Sequence, residues 1–220
     1  MKKLLIGVLV ILTFQNSNAQ EDVSYKPTTG TVTTEVGLTG GLNNANFNLN
    51  GGALKFRYFL KDDLAVRAGL GIDNQKEEDV VGQSPNQTTF TDKESFNTVK
   101  VGIEKHFAGS NRLSTYAGAD VIVGFGKEVE DEVEENGDFT KFEQKSSSFG
   151  FAVFTGADYY IAQKVYLGVE AGLNFLSTKL KDGESSFKSG NNTGSSSNPG
   201  EKGSDFNSRI FGGIRIGFQF

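Results

Sequence analysis

The chain has no cysteine and no tryptophan, and only three prolines, one methionine and one histidine in 220 residues. Without thiols there is no disulfide, no thiolate metal or redox centre, and no cysteine to carry a lipid anchor. No segment after Phe14 is apolar for the roughly 20 residues that a membrane helix needs, so any span of a bilayer would have to be built from strands. The net charge is −5, and no basic stripe is present, which removes nucleic-acid binding from the reading. A mean hydropathy of −0.34 describes a soluble acidic protein. That inference fails where only every second residue of a strand meets lipid, because the average hides the apolar face.

What is abundant is glycine, at 28, and phenylalanine, at 19, set in runs of period two. Eight such segments can be read: Val32–Thr39, Ala53–Leu60, Leu64–Ile72, Phe96–Phe107, Leu113–Phe125, Phe149–Ile161, Val165–Phe175 and Arg209–Phe220. In the fifth, Ala117, Ala119, Val121, Val123 and Phe125 oppose Tyr116, Gly118, Asp120 and Gly124, and the other segments alternate in the same way. Connections at Lys61–Asp63, Ala108–Arg112 and Ala162–Lys164 are tight. Those at Gly40–Gly52, Asp73–Ser95, Gly126–Ser148 and Ser177–Asn207 are long and polar. An outer-membrane barrel has short periplasmic turns, longer extracellular loops and an even number of strands of ~10 residues. A soluble sandwich or lipocalin-like barrel could also hold eight strands, but nothing in its physics gathers every long loop at one end. The expected fold is therefore all-β: a single eight-stranded antiparallel up-and-down transmembrane β-barrel.

On this pattern, over about Thr31–Phe220, the chain resembles the small eight-stranded outer-membrane barrels, the group that includes OmpX and the transmembrane domain of OmpA. The stretches Phe59 Leu60 Lys61 Asp62 Asp63 Leu64 and Tyr116 Ala117 Gly118 Ala119 also resemble barrel domains of Bacteroidota type. The last segment, with Ile214, Ile216, Phe218 and Phe220 on one face, resembles the C-terminal signal read when such barrels are inserted. At the other end, basic Met1–Lys3, apolar Leu4–Phe14 and small Ser17 Asn18 Ala19 before Gln20 look like a secretory leader cleaved between Ala19 and Gln20. The expected organisation is a signal peptide over residues 1–19, a periplasmic lead over 20–30 and the barrel over 31–220. The resemblance implies export to the cell outer membrane, contact with its lipids and lipopolysaccharide, and periplasmic chaperones and the barrel assembly machinery as partners in biogenesis.

The polar parity carries Glu35, Lys55, Arg57, Arg67, Lys100, Glu104, Asp120, Asp158, Glu170, Arg209 and Arg215, nearly balanced in sign. An eight-stranded ring is just wide enough to be filled by its own side chains. Charges there persist only when paired, so a closed lumenal network is expected of Glu35, Lys55, Arg57, Arg67, Lys100, Glu104, Asp120, Asp158, Glu170 and Arg215. A pore lining would favour one sign. His106 ends the fourth segment beside a short turn and reads as an interfacial girdle residue, with no loop serine in its reach. The carboxylates of Lys127–Asp138 could attract Ca²⁺ or Mg²⁺ but fit no EF-hand spacing, and a solvated acidic loop is the simpler reading. The fourth long connection, Ser177–Asn207, with Ser185 Ser186 and Ser195–Gly200, is Gly and Ser rich and reads as a mobile loop. No catalytic or metal residue and no cofactor is assigned. The chain is read as a monomeric, non-enzymatic barrel with a filled lumen and four extracellular loops in a structural or surface-interaction role, a narrow channel for small solutes or ions being the alternative.

Overall fold

The computed structural model describes residues 24–38, 53–107, 109–199 and 204–220, and no helix occurs among them. Ala19, Gln20 and the first expected loop, Gly40–Gly52, lie outside these residues, as does the side chain of Arg209. Ten strands follow in order: β1 (Val32–Leu38), β2 (Ala53–Lys61), β3 (Leu64–Val81), β4 (Thr88–His106), β5 (Leu113–Glu134), β6 (Phe139–Ala162), β7 (Val165–Leu180), β8 (Gly183–Ser189), β9 (Asn192–Asn198) and β10 (Ser204–Gln219). Strands β1 to β7 pair antiparallel in sequence, β7 pairs with β10, and β10 returns to β1 through Thr33↔Gln219 to Leu38↔Ile214. Eight strands thus close a ring, which removes the unpaired sheet edges that lipid would not tolerate.

One parity of each ring strand faces outward and is apolar. Val101 is 58% exposed, Val121 50% and Val169 53%, whereas Asp120 and Ile122 beside Val121 and Gly168 beside Val169 are buried. An apolar band this large, half-exposed on every strand of the ring, is stable against a non-aqueous solvent, and it is the lipid face. Replacing Val121 with Arg is accordingly expected to cost ~2–4 kcal/mol in a bilayer. A spin label at Val121 should relax with dissolved oxygen while one at Gly69 should not, and equal relaxation at both would overturn the face assignment. Gly69 is the better lumenal site because a Cβ at Gly118 would run into Phe154.

Short turns at 62–63 and 163–164 join strands at one end. The N-terminal lead crosses that end: Pro27 is buried, the Arg112 guanidinium sits 4.1 Å over the Tyr25 ring, and Gln219 Nε2 donates to Tyr25 O at 3.1 Å. Gly30, at φ 88°, makes the left-handed turn into β1, donating to Phe59 O at 2.8 Å.

Among the described residues, the long connections are not loops. β3 and β4 stay paired from Ile72↔Asn97 out to Val81↔Thr88, and β5 and β6 stay paired out to Val133↔Phe139. The expected loops Asp73–Ser95 and Gly126–Ser148 are therefore hairpin extensions, with strands of up to 24 residues where ~10 would cross the bilayer. The stretch expected to be a mobile loop contains the β8–β9 hairpin, whose β8 pairs with the outer part of β6 from Phe139↔Lys188 to Glu143↔Glu184. Alternation of hydrophobicity reports where lipid ends, not where the strand ends. Beyond the lipid, charged and polar residues enter both faces, and the period weakens in the composition while the backbone ladder continues.

Candidate functional site

The other parity fills the lumen, and its charged side chains converge from all eight strands of the ring. On β2, the Arg57 guanidinium is fully enclosed: Nη1 donates to Asp158 Oδ2 of β6 at 2.6 Å, Nε lies 3.1 Å from Glu104 Oε1 of β4, and Nη2 contacts Glu35 of β1. Nε and Nη2 are within ion-pair distance but lack hydrogen-bond alignment, so electrostatic attraction dominates there. On β3, Arg67 grips Asp120 of β5 with two parallel bonds, Nε to Oδ1 at 2.7 Å and Nη2 to Oδ2 at 2.5 Å, the fork geometry that suits a carboxylate. Its Nη1 reaches Glu170 Oε2 of β7 at 2.8 Å. Arg215 of β10 holds Glu35 at 2.9 Å, Asp158 at 2.9 Å and Glu170 at 2.5 Å. Lys55 adds Glu170 at 2.9 Å and Glu35 at 3.4 Å.

Every carboxylate here meets at least one cation, and the arrangement ties β1, β2, β3, β4, β5, β6, β7 and β10 together across the ring. Of the ten residues expected in the network, Lys100 is the exception. Among the described residues it makes no ion pair, and its Nζ sits 5.4 Å over the ring of Phe211.

Two tyrosines complete the cluster. Tyr166 donates to Glu35 Oε1 at 2.8 Å and Tyr116 to Glu170 Oε2 at 3.0 Å, while their rings lie 5.6 and 5.1 Å from the Arg57 guanidinium carbon. Both stand on the polar parity in the sequence, which is the signal that could have placed them. Wall glycines make room for them. A Cβ at Gly217 would strike the Tyr166 ring, one at Gly156 the Tyr116 ring, and one at Gly168 the Asp158 and Arg215 side chains.

His106 corrects the sequence reading. It is 5% exposed and points into the lumen, with Nδ1 2.8 Å from Ser114 Oγ and Nε2 2.9 Å from Glu104 Oε1. The physical reason is strand parity: His106 lies two residues beyond Glu104 and shares its face. A Ser–His–Glu order of hydrogen bonds results, although Ser114 stands at the start of β5 rather than in a long loop. Ser114, His106 and Glu104 are 3%, 5% and 0% exposed, and Glu104 also serves Arg57. The array is a buried link in the network rather than an accessible nucleophile.

Above the network the lumen opens. A cavity of about 280 Å³ lies among Lys55, Arg67, Lys100, Glu170 and Phe211, and the mouth holds one of about 540 Å³ with Asp73, Glu94 and Glu128 on its wall. In the hairpin extensions the lumen parity turns acidic: Glu128, Glu130, Glu132 and Glu134 on β5 stand beside Asp92 and Glu94 on β4. Burial, and then the neighbouring Glu130, Glu94 and Asp92, hold the Glu128 carboxyl above its usual range. Successive same-face carboxylates of a strand stand ~6.8 Å apart, too far for shared coordination of one cation. Among the described residues no group of three or more acidic or imidazole side chains has metal-binding geometry.

The model of the OmpA-OmpF-like porin family matches residues 42–175. Among solved structures, the chain is similar to the attachment invasion locus protein Ail of Yersinia pestis, at 14% identity and a TM-score of 0.40, covering 88% of this chain and 100% of that one. CarO of Acinetobacter baumannii shows 16% identity and a TM-score of 0.41 over 87% of this chain and 98% of that one. The N-terminal β-barrel domain of Pseudomonas aeruginosa OprF shows 15% identity and a TM-score of 0.31 over 88% and 100%. No curated protein sequence matches at a significant level.

Proposed function

Because the chain belongs to the OmpA-OmpF-like porin family and is an outer-membrane barrel protein, we propose that it is a non-catalytic one whose lumen is closed by its own charges and whose extracellular hairpins carry its surface interactions. The observation that supports this most directly is the packing at Arg57: a guanidinium in contact with three carboxylates from three strands, all four side chains fully buried. Such a cluster occupies the cross-section that a permeating ion would need. The leader Met1–Ala19, its cleavage before Gln20 and the help of assembly machinery and chaperones belong to the same proposal. The intact mass of the purified protein would show that cleavage, and a mass retaining the leader would remove it.

The narrow channel remains a second reading, favoured by the cavities of about 280 and 540 Å³ stacked above the network. Planar-bilayer recording separates the two. The refolded wild type is expected to pass no steady current at neutral pH. A persistent open conductance selective for one ion sign would show that the network parts and would make the protein a channel.

A further inference from the structure

The outward face changes character at a sharp line, and it does so in the same way on each of the five strands β3–β7. Above the apolar band come at most two small polar residues, and then the first charged side chain is Lys76 on β3, Lys93 on β4, Lys127 on β5, Lys145 on β6 and Lys179 on β7. No outward-facing carboxylate precedes any of them. The opposite parity at this height carries Asp73, Glu94 and Glu128. Alternation has thus separated the signs by side of the wall, cations toward the lipid and anions toward the mouth.

The lysines do not repay one another. Lys76 stands directly opposite Lys93, and Lys127 directly opposite Lys145, an arrangement of like charges that weakens a sheet. The chain offsets this in part. Glu78 pairs with Lys76 at 2.5 Å, and Glu143 is shared by Lys127 at 2.9 Å and Lys145 at 3.2 Å, which hold its carboxyl below the usual carboxylate range. Among the described residues Lys93 and Lys179 have no ion pair. The belt is left with surplus positive charge just above Phe125 and Phe149, the exposed aromatics that mark the outer edge of the lipid face.

We propose that this belt is a binding site for the phosphate-bearing headgroups of lipids in the outer leaflet. A lysine stem reaches along apolar surface and delivers its ammonium at headgroup height, and a row of them meets several phosphates at once. The site rests on the outer-membrane reading above, since only insertion to this depth brings the two together.

The test uses the mature protein refolded in nanodiscs of phosphatidylcholine, with and without diphosphoryl lipid A, and scores lipid retained by native mass spectrometry. Wild type is expected to retain the phosphorylated lipid in preference to phosphatidylcholine, less so at high salt. Lys93→Gln and Lys179→Gln, both exposed and above the lipid band, should each weaken retention about five-fold. Glu94→Gln and Glu128→Gln, on the mouth side, should leave it unchanged or strengthen it slightly. Retention in the lysine variants equal to wild type would overturn the site, and so would full competition by millimolar inorganic phosphate, which would show a free-anion site. Heat-modifiable mobility of the same samples keeps the two readings apart: folded barrels without selective retention sink the belt alone, and a wild type that forms no barrel sinks the membrane reading beneath it.

Discussion

Arg57→Ala is expected to cost the barrel about 3–5 kcal/mol, the largest effect of any single lumenal change, because it takes one cation from each of three carboxylates in a space that water does not reach. Glu35, Glu104 and Asp158 are all 1% exposed or less, and among the described residues Arg57 alone of the cations touches all three. Arg215 would still hold Glu35 and Asp158, so the loss falls hardest on Glu104, left with Arg67 at 3.4 Å and His106 at 2.9 Å. Urea unfolding in detergent micelles would measure the change. Arg57→Lys should recover only part of it, since an ammonium keeps the charge but cannot reach three acceptors in fixed directions. Lys105→Ala is the control: its pair with Asp63 lies in water at the short-turn end, and its loss should be negligible. If Arg57→Ala unfolds like the control, the lumen is wetter or looser than the geometry describes.

The parts of this architecture that were legible in the amino-acid sequence are those in which one face of a strand meets lipid. There the solvent imposes period two, and Val121 against Asp120, or Leu167 against Tyr166, betrays the side on which each residue lies. The tight turns were legible for the same reason, since Asp62 Asp63 and Gln163 Lys164 interrupt two apolar runs of opposite direction. Beyond Phe125 the signal weakens although β5 continues to Glu134, because Lys127 and Asp131 interrupt the apolar parity opposite Glu128, Glu130, Glu132 and Glu134. In the sequence, Lys127–Asp138 therefore looks like any acidic run. The position of His106 at a strand end suggests the membrane interface, whereas its parity with Glu104 places it in the lumen. Which carboxylate each arginine takes was beyond the sequence altogether: Arg57 finds partners on β1, β4 and β6, a choice set by ring closure and stagger rather than by neighbours along the chain.

Phe220→Asp should remove the protein from the outer membrane of living cells while leaving the purified chain able to fold. Phe220 is 74% exposed on the outward parity, and its backbone closes the ring, its N–H donating to Val32 O at 2.9 Å. The substitution keeps that backbone bond. On side-chain energetics alone a carboxylate at the rim of the bilayer costs little, about 0–1 kcal/mol near the interface, so a refolded Asp variant should still run as a heat-modifiable barrel. In cells the expectation differs because Ile214, Ile216, Phe218 and Phe220 form the apolar face of the strand proposed to be read before the ring has closed. At that stage β10 has no partner in β1, and its exposed alternating face is the part available for recognition. The variant should accumulate in the periplasm or be degraded, with Phe220→Tyr close to wild type. Normal outer-membrane levels of Phe220→Asp would show that closure of β10 on β1 suffices and that the terminal aromatic carries no assembly signal. Failure of the variant to refold in vitro would instead make Phe220 a structural residue, and the signal reading would fall with it.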